Sequence, residues 1–292
     1  MEIRVLRYFL AVAREESITA AAQSLHVTQP TLSKQLMEIE AELGTTLFLR
    51  GKRKITLTED GIFLRKRAQE IIDLVDKTES EFNDDAEVIS GDVYIGGGET
   101  EAMRLIAKTI KNMELEYPHI RYHLYSGNAD DIMERMDKGL LDFGVLIEPA
   151  DIRKYDYIKL PTTDTWGLLM PKNHPLAKKE SIIPEEIKDL PLICSRQSLV
   201  KNEFSGWLGV DFDKLDIVAT YNLIFNASLL VEEGVGCAIC LDRLLNVTGD
   251  SKLVFVPFAP KLEANLDIVW KKYQVFSKAA EKFLERLQEE FR

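Results

Sequence analysis

Cysteine, histidine and tryptophan are scarce in this chain of 292 residues, with three, four and three of them. Three cysteines do not make the disulfide framework of a small secreted domain. The histidines His26, His119, His123 and His174 fall at no spacing typical of a metal site. Long apolar runs are missing too, and none approaches the ~20 residues that span a bilayer. The opening Met-Glu-Ile-Arg-Val-Leu-Arg has no apolar signal core behind its basic residues. No Ser/His/Asp or paired-carboxylate arrangement stands out, which argues against an enzyme. The expectation is a cytosolic, non-membrane protein without a cofactor.

What is present is ordinary core material, 46% hydrophobic and 29% charged residues. At ~150 residues per domain, the length suggests two or three folded units. The net charge of −11 looks wrong for a nucleic-acid binder until the chain is divided. Residues 1–67 hold 11 Lys/Arg against 8 Asp/Glu, whereas 68–90 hold one Lys against 8 acids. The remaining 91–292 carry 25 bases and 32 acids. Overall acidity therefore hides a basic first segment, a modest pointer to nucleic acid.

That segment reads as helices. Leu6, Phe9, Leu10 and Ala13 recur at helical spacing. Ser17 caps a second helix with Ala20, Ala21 and Leu25 on its inner side, and His26-Val27 makes a turn. Thr28 caps a third helix, with Pro30 in its first turn and Leu32, Leu36, Ile39 and Leu43 stepping along one face until Gly44. Two short helices joined by a tight turn make a helix-turn-helix at about 18–37. Leu49 to Leu57 then reads as a β-hairpin with a basic tip. Thr28, Gln29, Pro30, Thr31, Ser33, Lys34 and Gln35 bring amide, hydroxyl and ammonium groups to a major groove. Arg50, Lys52, Arg53 and Lys54 suit phosphates or the neighbouring minor groove. An isolated basic run is more often a solvated loop; beside a helix-turn-helix the odds reverse.

The string from Phe9 through Ser17, Ala20-Ala21, Leu25, Val27-Thr28-Gln29-Pro30, Ser33, Leu36, Glu40, Leu43-Gly44, Leu47-Phe48, Arg50 and Leu57-Thr58 closely resembles the LysR-type N-terminal domain. The resemblance implies a winged helix-turn-helix over 1–58, with the hairpin as its wing. Thr58 caps the next helix, where Leu64, Ala68, Ile71, Val75, Thr78 and Phe82 form a heptad seam. Either it is a surface helix on a globular body, or it pairs with a twin. The resemblance and the lack of a second apolar face favour a linker and dimerisation helix over 59–88.

From Ser90-Gly91 the pattern becomes alternating strands and helices, read as a parallel sheet covered on both faces. One series runs through Asp92–Gly96, Thr100–Met113, Ile120–Tyr125, Ala129–Met136 and Leu141–Ile147. A second comprises Thr165–Met170, Leu192–Cys194, Leu199–Leu208, Leu215–Tyr221, Ile224–Glu233 and Gly236–Leu241. Leu266–Trp270 is then a strand and Ser277–Phe291 an amphipathic helix. Residues 91–292 resemble the LysR effector domain, an α/β two-lobed type 2 periplasmic-binding-protein-like fold. Asp142-Phe143-Gly144-Val145 and Asn173-His174-Pro175-Leu176-Ala177 carry that looser match. Lobe one is expected over 91–161 and 265–292, and lobe two over 162–264.

Open parallel sheets bind ligands beyond the carboxyl ends of their strands. Thr100, Ser126, Asn128, Ser195 and Asn222 stand at such ends and form the expected effector site. Singly each is better read as a helix cap or turn residue; as a set they suit a cleft. Glu99, Glu148 and Arg196 beside them would suit a zwitterionic ligand. Gly96-Gly97-Gly98 lacks the dinucleotide spacing, because Glu101 takes the third glycine's place. Cys237 and Cys240 form a Cys-x-x-Cys inside an apolar strand, where an offset of three points them to opposite faces. Core packing is the expectation there, and Cys194 could border the cleft as a thiol sensor.

A ligand-responsive regulator is thus expected, binding double-stranded DNA and a small-molecule effector of unstated identity. The resemblance adds a dimer, completed to a tetramer, and RNA polymerase as a candidate partner. The other readings are an enzyme with an accessory DNA-binding head, which lacks a catalytic constellation, and an architectural DNA protein, which would not need two lobes.

Overall fold

The computed structural model describes residues 1–51, 54–81, 89–195, 202–209 and 214–291. Two compact units emerge, Met1–Asn83 and Asp84–Arg292. Among the described residues, no helix is long and apolar enough to cross a membrane.

The first unit packs α1 (Ile3–Glu15), α2 (Ile18–Ser24), α3 (Gln29–Leu43) and α4 (Glu59–Glu81) around one core. Its centre is Leu6, Phe9, Val12, Leu32, Leu36 and Ile39, residues spaced to share a face on each helix. Ser17 accepts the Ala20 N–H at 3.3 Å, Thr28 caps α3, and Gly44 ends α3 in the left-handed conformation at φ 68°. Strands β1 (Phe48–Arg50) and β2 (Ile55–Leu57) pair antiparallel, forming the expected hairpin. Thr58 then caps α4, accepting the Gly61 N–H at 3.0 Å while donating to the Thr46 carbonyl at 2.7 Å. Gly61 has to lack a side chain, since a Cβ there would collide with the Leu47 carbonyl oxygen.

The seam expected on α4 faces inward over its first part. Leu64, Ala68 and Ile72 are buried in this unit's own core, with Ile71 partly buried beside them. The helix also has a second apolar face, with Ile62, Phe63 and Leu74 exposed by 54%, 64% and 42%. The small Ala68 and the α1 surface, including Val5, Phe9 and Val12, account for the inward choice: they form one contiguous core. Phe82 lies outside the described residues.

The second unit is built on a nine-stranded sheet ordered β4-β3-β5-β11-β6-β9-β7-β8, with β10 also paired to β6. The strands are β3 (Ser90–Gly97), β4 (His119–Ser126), β5 (Phe143–Ile147), β6 (Tyr155–Pro171), β7 (Leu192–Ser195), β8 (Ile217–Tyr221), β9 (Cys237–Leu241), β10 (Leu253–Pro257) and β11 (Glu263–Lys271). The sheet is mixed, not parallel as expected. Parallel pairs β3–β4, β3–β5, β7–β8 and β7–β9 lie at two ends, and antiparallel β11 and β6 run between them. The physical reason is continuity. The first half of β6 pairs with β11, and its second half pairs with β9 and β10. β6 runs in the same direction as β5, and β11 is inserted between them, opposing both.

Two lobes follow. In lobe one, α5 (Met103–Glu116) and α9 (Lys278–Phe291) bury Ile106, Met113, Phe283 and Leu287 against Ile95, Phe143 and Ile268. α6 (Ala129–Asp137) covers the other face through Ile132 and Met136. In lobe two, α7 (Asn202–Leu208) packs Phe204 and Leu208 on Leu168 and Cys194, while α8 (Ile224–Glu232) packs Ala227 and Val231 on Leu169 and Ile193. The register shift in β11 between Asn265 and Asp267 lies where the lobes meet.

Candidate functional site

The DNA-facing residues fall on the start of α3 and the hairpin. Thr28 Oγ1 accepts the Thr31 N–H at 3.4 Å and lies 2.8 Å from the Thr31 hydroxyl. Pro30 sits in the first turn, where its missing N–H costs no helical hydrogen bond. Thr28, Gln29, Pro30, Thr31 and Lys34 are exposed, and Ser33 and Gln35 are partly so. Burial of Leu32 and Leu36 on the opposite face turns this polar face outward. Glu38 reaches toward two of them, with its carboxylate 2.5 Å from Gln35 Nε2 and 3.7 Å from Lys34 Nζ. Lys54 pairs with Glu16 at 2.6 Å, and the Ile55 N–H donates to the Glu16 carbonyl at 3.0 Å, tying the hairpin to the end of α1. Arg50 ends β1. Lys52 and Arg53 lie outside the described residues.

Glu40, present in the sequence motif without an assigned role, proves to be the clamp between α3 and the hairpin. Its Oε1 accepts the Leu47 N–H at 2.7 Å and the Phe48 N–H at 3.2 Å.

In the second unit, a cavity of about 350 Å³ opens at the carboxyl ends of β3 and β4. Thr100 and Ser126 line it together with Glu99, Glu101, Tyr125 and Arg243. The other three expected residues are not among its walls. Asn128 caps α6, accepting the Asp131 N–H at 2.9 Å. Asn222 is exposed and accepts the adjacent Leu223 N–H at 3.0 Å. Ser195 ends β7, in register with Tyr221. Their strand-end positions were legible; which of them turn toward one cavity was not.

Among the described residues, two polar bridges cross from lobe one to lobe two. The Glu99 carboxylate accepts the Ile224 N–H at the first turn of α8. The Thr100 hydroxyl donates to Asp164, while the Ala102 N–H donates back to Thr100 at 3.0 Å. Asp164, on β6, also receives Arg243 Nη2 at 3.1 Å, and that nitrogen donates to the Thr163 carbonyl at 2.9 Å. Burial pushes the Asp164 carboxyl above its ordinary range, against the Thr100 hydrogen bond that holds it down. Asp164 and Arg243 escaped sequence reading because neither belongs to a motif.

Glu148 is engaged by Asn265 Nδ2 at 2.9 Å and by Lys159 at 3.7 Å, and is not a lining residue of the cavity. Arg196, named with it for a zwitterionic ligand, lies outside the described residues. Cys237 and Cys240 are buried on opposite faces of β9, in separate clusters. Cys194 does not border the cleft. It is fully buried beside Leu168 and Phe204, and burial pushes its thiol up to about 12. A thiol so placed is neither exposed nor nucleophilic.

Residues 3–62 match the family model described as a bacterial regulatory helix-turn-helix protein of the lysR family, and residues 86–292 match that of the LysR substrate binding domain. The chain is 32% identical over 291 residues to the uncharacterized HTH-type transcriptional regulator YwbI of Bacillus subtilis (strain 168), covering 98% of this chain and 95% of that one. It is 30% identical over 287 residues to the HTH-type transcriptional regulator AlsR of the same organism, covering 93% and 85%. The crystal structure of CbnR, a LysR family transcriptional regulator, superposes with a TM-score of 0.77 at 18% identity, covering 100% of both chains. Full-length CbnR complexed with its target DNA gives 0.75 at 18% identity, covering 99% of each. With helix-turn-helix, hairpin and two-lobed sheet all accounted for, the chain belongs to the LysR family of DNA-binding transcriptional regulators.

Proposed function

We propose that the chain reads an operator through the start of α3 and holds the flanking phosphates through the hairpin, under control of a small polar effector in the cleft. One observation carries the reading: the exposed amide, hydroxyl and ammonium groups of Gln29, Thr31 and Lys34 share the first turns of a capped helix whose other face is core. Ser33 and Gln35 flank them, and the hairpin segment of the sequence adds the cations Arg50, Lys52, Arg53 and Lys54. The effector site is narrower than sequence suggested. Thr100 and Ser126 with Glu99 and Arg243 would form its wall, while Ser195 and Asn222 are strand-end residues of lobe two that do not line it.

Self-association is part of the reading. A dimer would use the outward face of α4, Ile62, Phe63 and Leu74; the tetramer rests on family resemblance alone. RNA polymerase is the further partner such a regulator addresses, and its place of work is the bacterial cytoplasm, where the chromosome is.

Footprinting and binding curves on DNA upstream of the chain's own gene test this. Gln29→Ala should lose about 1–3 kcal/mol of discrimination between matched and mismatched sites, whereas Lys54→Ala should weaken both alike and flatten the salt dependence. Equal losses on all sequences for both variants would remove α3 as the reading element.

A further inference from the structure

Lobe two contains a second cavity, of about 570 Å³, under the segment that follows β9. Its walls include Leu169, Leu245, Val247 and Phe255, and two cations, Arg243 and Lys261, line it as well. The size lies within the range of small-molecule sites. Gly167, on the face of β6 shared by Thr165 and Leu169, makes the floor possible. A Cβ there would meet the Phe255 ring and, at 2.5 Å, the Val256 carbonyl oxygen. The ring is therefore laid over the strand and turned into a wall.

Two cations and one acid line this cavity. Its acid, Asp242, already accepts the Thr165 N–H at 2.9 Å and faces Arg243 Nε at 3.1 Å. Lys261 is exposed and, among the described residues, paired only with Glu263, itself half exposed, at 2.5 Å. Arg243 adopts φ 60°, a left-handed backbone that a residue with a side chain rarely takes, and its hydrogen bonds hold the guanidinium in place. Nε and Nη2 are committed to Asp242, Thr163 and Asp164, while Nη1 makes no hydrogen bond among the described residues. Arg243 and Leu244 also line the cleft cavity, so they form the partition between the two.

We propose that this cavity is a second small-molecule site, distinct from the cleft, that takes a compact apolar body bearing one carboxylate, with the carboxylate at Arg243 and Lys261. Apolar walls accept the body, and Arg243 Nη1, the guanidinium nitrogen not engaged among the described residues, donates to the acid. An occupant shares its guanidinium with Asp164, which receives the Thr100 hydroxyl, so binding is transmitted to the cleft wall through atoms already in contact.

Methyl NMR of the full chain, labelled at Leu and Val, separates the two sites. Leu245 and Val247 report on the new cavity, and Leu124 reports on the cleft. Benzoate, benzyl alcohol and benzylammonium are the probes. Benzoate should give saturable shifts at Leu245 and Val247, with about tenfold weaker binding of the alcohol and less still of the ammonium. Lys261→Gln should weaken benzoate severalfold and leave the alcohol unchanged; its exposed position keeps the fold out of the result. Shifts confined to Leu124, equal affinity for acid and alcohol, or no saturable shift at Leu245 and Val247 would each overturn the proposal. None of these outcomes bears on operator binding, which is measured separately.

Discussion

Glu40 decides how the hairpin joins α3, because one carboxylate oxygen takes two successive backbone donors, Leu47 and Phe48. Removing it strands both amides in a partly buried turn. Glu40→Ala should cost about 2 kcal/mol, the range for hydrogen bonds to a charged acceptor, and Glu40→Gln less. Amide exchange at Leu47 and Phe48 is the measurement, and unchanged protection in the alanine variant would dismiss the clamp. Asp267 poses the opposite problem. It is 2% exposed on β11, and its Oδ1 has no hydrogen-bond partner. Burial first, and then the Glu148 carboxylate beside it, push its carboxyl up to about 6. The sign follows from proton binding: between pH ~4 and ~6 the folded state holds a proton that the unfolded state has released. Stability from this group is therefore full below pH ~4 and lost as pH rises through ~6. Asp267→Asn, which keeps a donor toward Glu148, should raise stability at pH 7 by on the order of 2 kcal/mol and flatten that window. Urea unfolding across pH 4.5–8 reads both, and a parallel pH profile for the variant would reject the assignment.

At the scale of elements, α4 shows how a correct periodicity can be assigned to the wrong partner. The spacing of Leu64, Ala68, Ile71 and Val75 marks a helical apolar stripe, but spacing does not say whether α1 or another chain covers it. Here Ala68 is fully buried beside Phe9 and Val12, whereas Phe63 points to solvent next to Arg67, whose guanidinium carbon lies 5.6 Å from its ring centroid. Ala68→Asp should then destabilise the first unit by roughly 3 kcal/mol or more, since an unpaired charge enters the core. Phe63→Asp should leave the fold intact and weaken self-association, as sedimentation equilibrium would show. A dimer unaffected by Phe63→Asp would move the interface off this face. Elsewhere the elements were more legible. The caps Ser17, Thr28 and Thr58 and the stop at Gly44 announce themselves because capping is local chemistry. The mixed sheet did not, because whether Tyr155–Pro171 crosses both lobes depends on pairing with β11, more than ninety residues away. For the same reason Thr100 and Ser126 could be placed at strand ends, but the partners Asp164 and Arg243 could not be foreseen.

For the molecule as a whole, the effector domain is continuous through β6 and β11, and its lobes are also held by two side-chain bridges that an effector would have to answer. One is Glu99 on the amino end of α8, where a carboxylate meets a free N–H and the positive end of the helix dipole. The other is Thr100 to Asp164 to Arg243. Both start from adjacent residues after β3, so a ligand entering between them disturbs them together. Glu99→Ala should release the first bridge, and Thr100→Val the second, leaving the buried Asp164 with one acceptor bond fewer. If closure is one event, the two losses should not add: the double variant should exceed either single by less than their sum. Amide exchange at Ile224 is the natural reporter, because its N–H lies in the first bridge. Glu99→Ala should speed it about tenfold, the equivalent of one hydrogen bond near 1.4 kcal/mol. Thr100→Val, which touches nothing on α8, should speed the same amide by a smaller factor if the bridges share one closing motion. No change at Ile224 in Thr100→Val would mean that the two bridges open independently, and that the cleft is held by separate latches with no common state for an effector to shift.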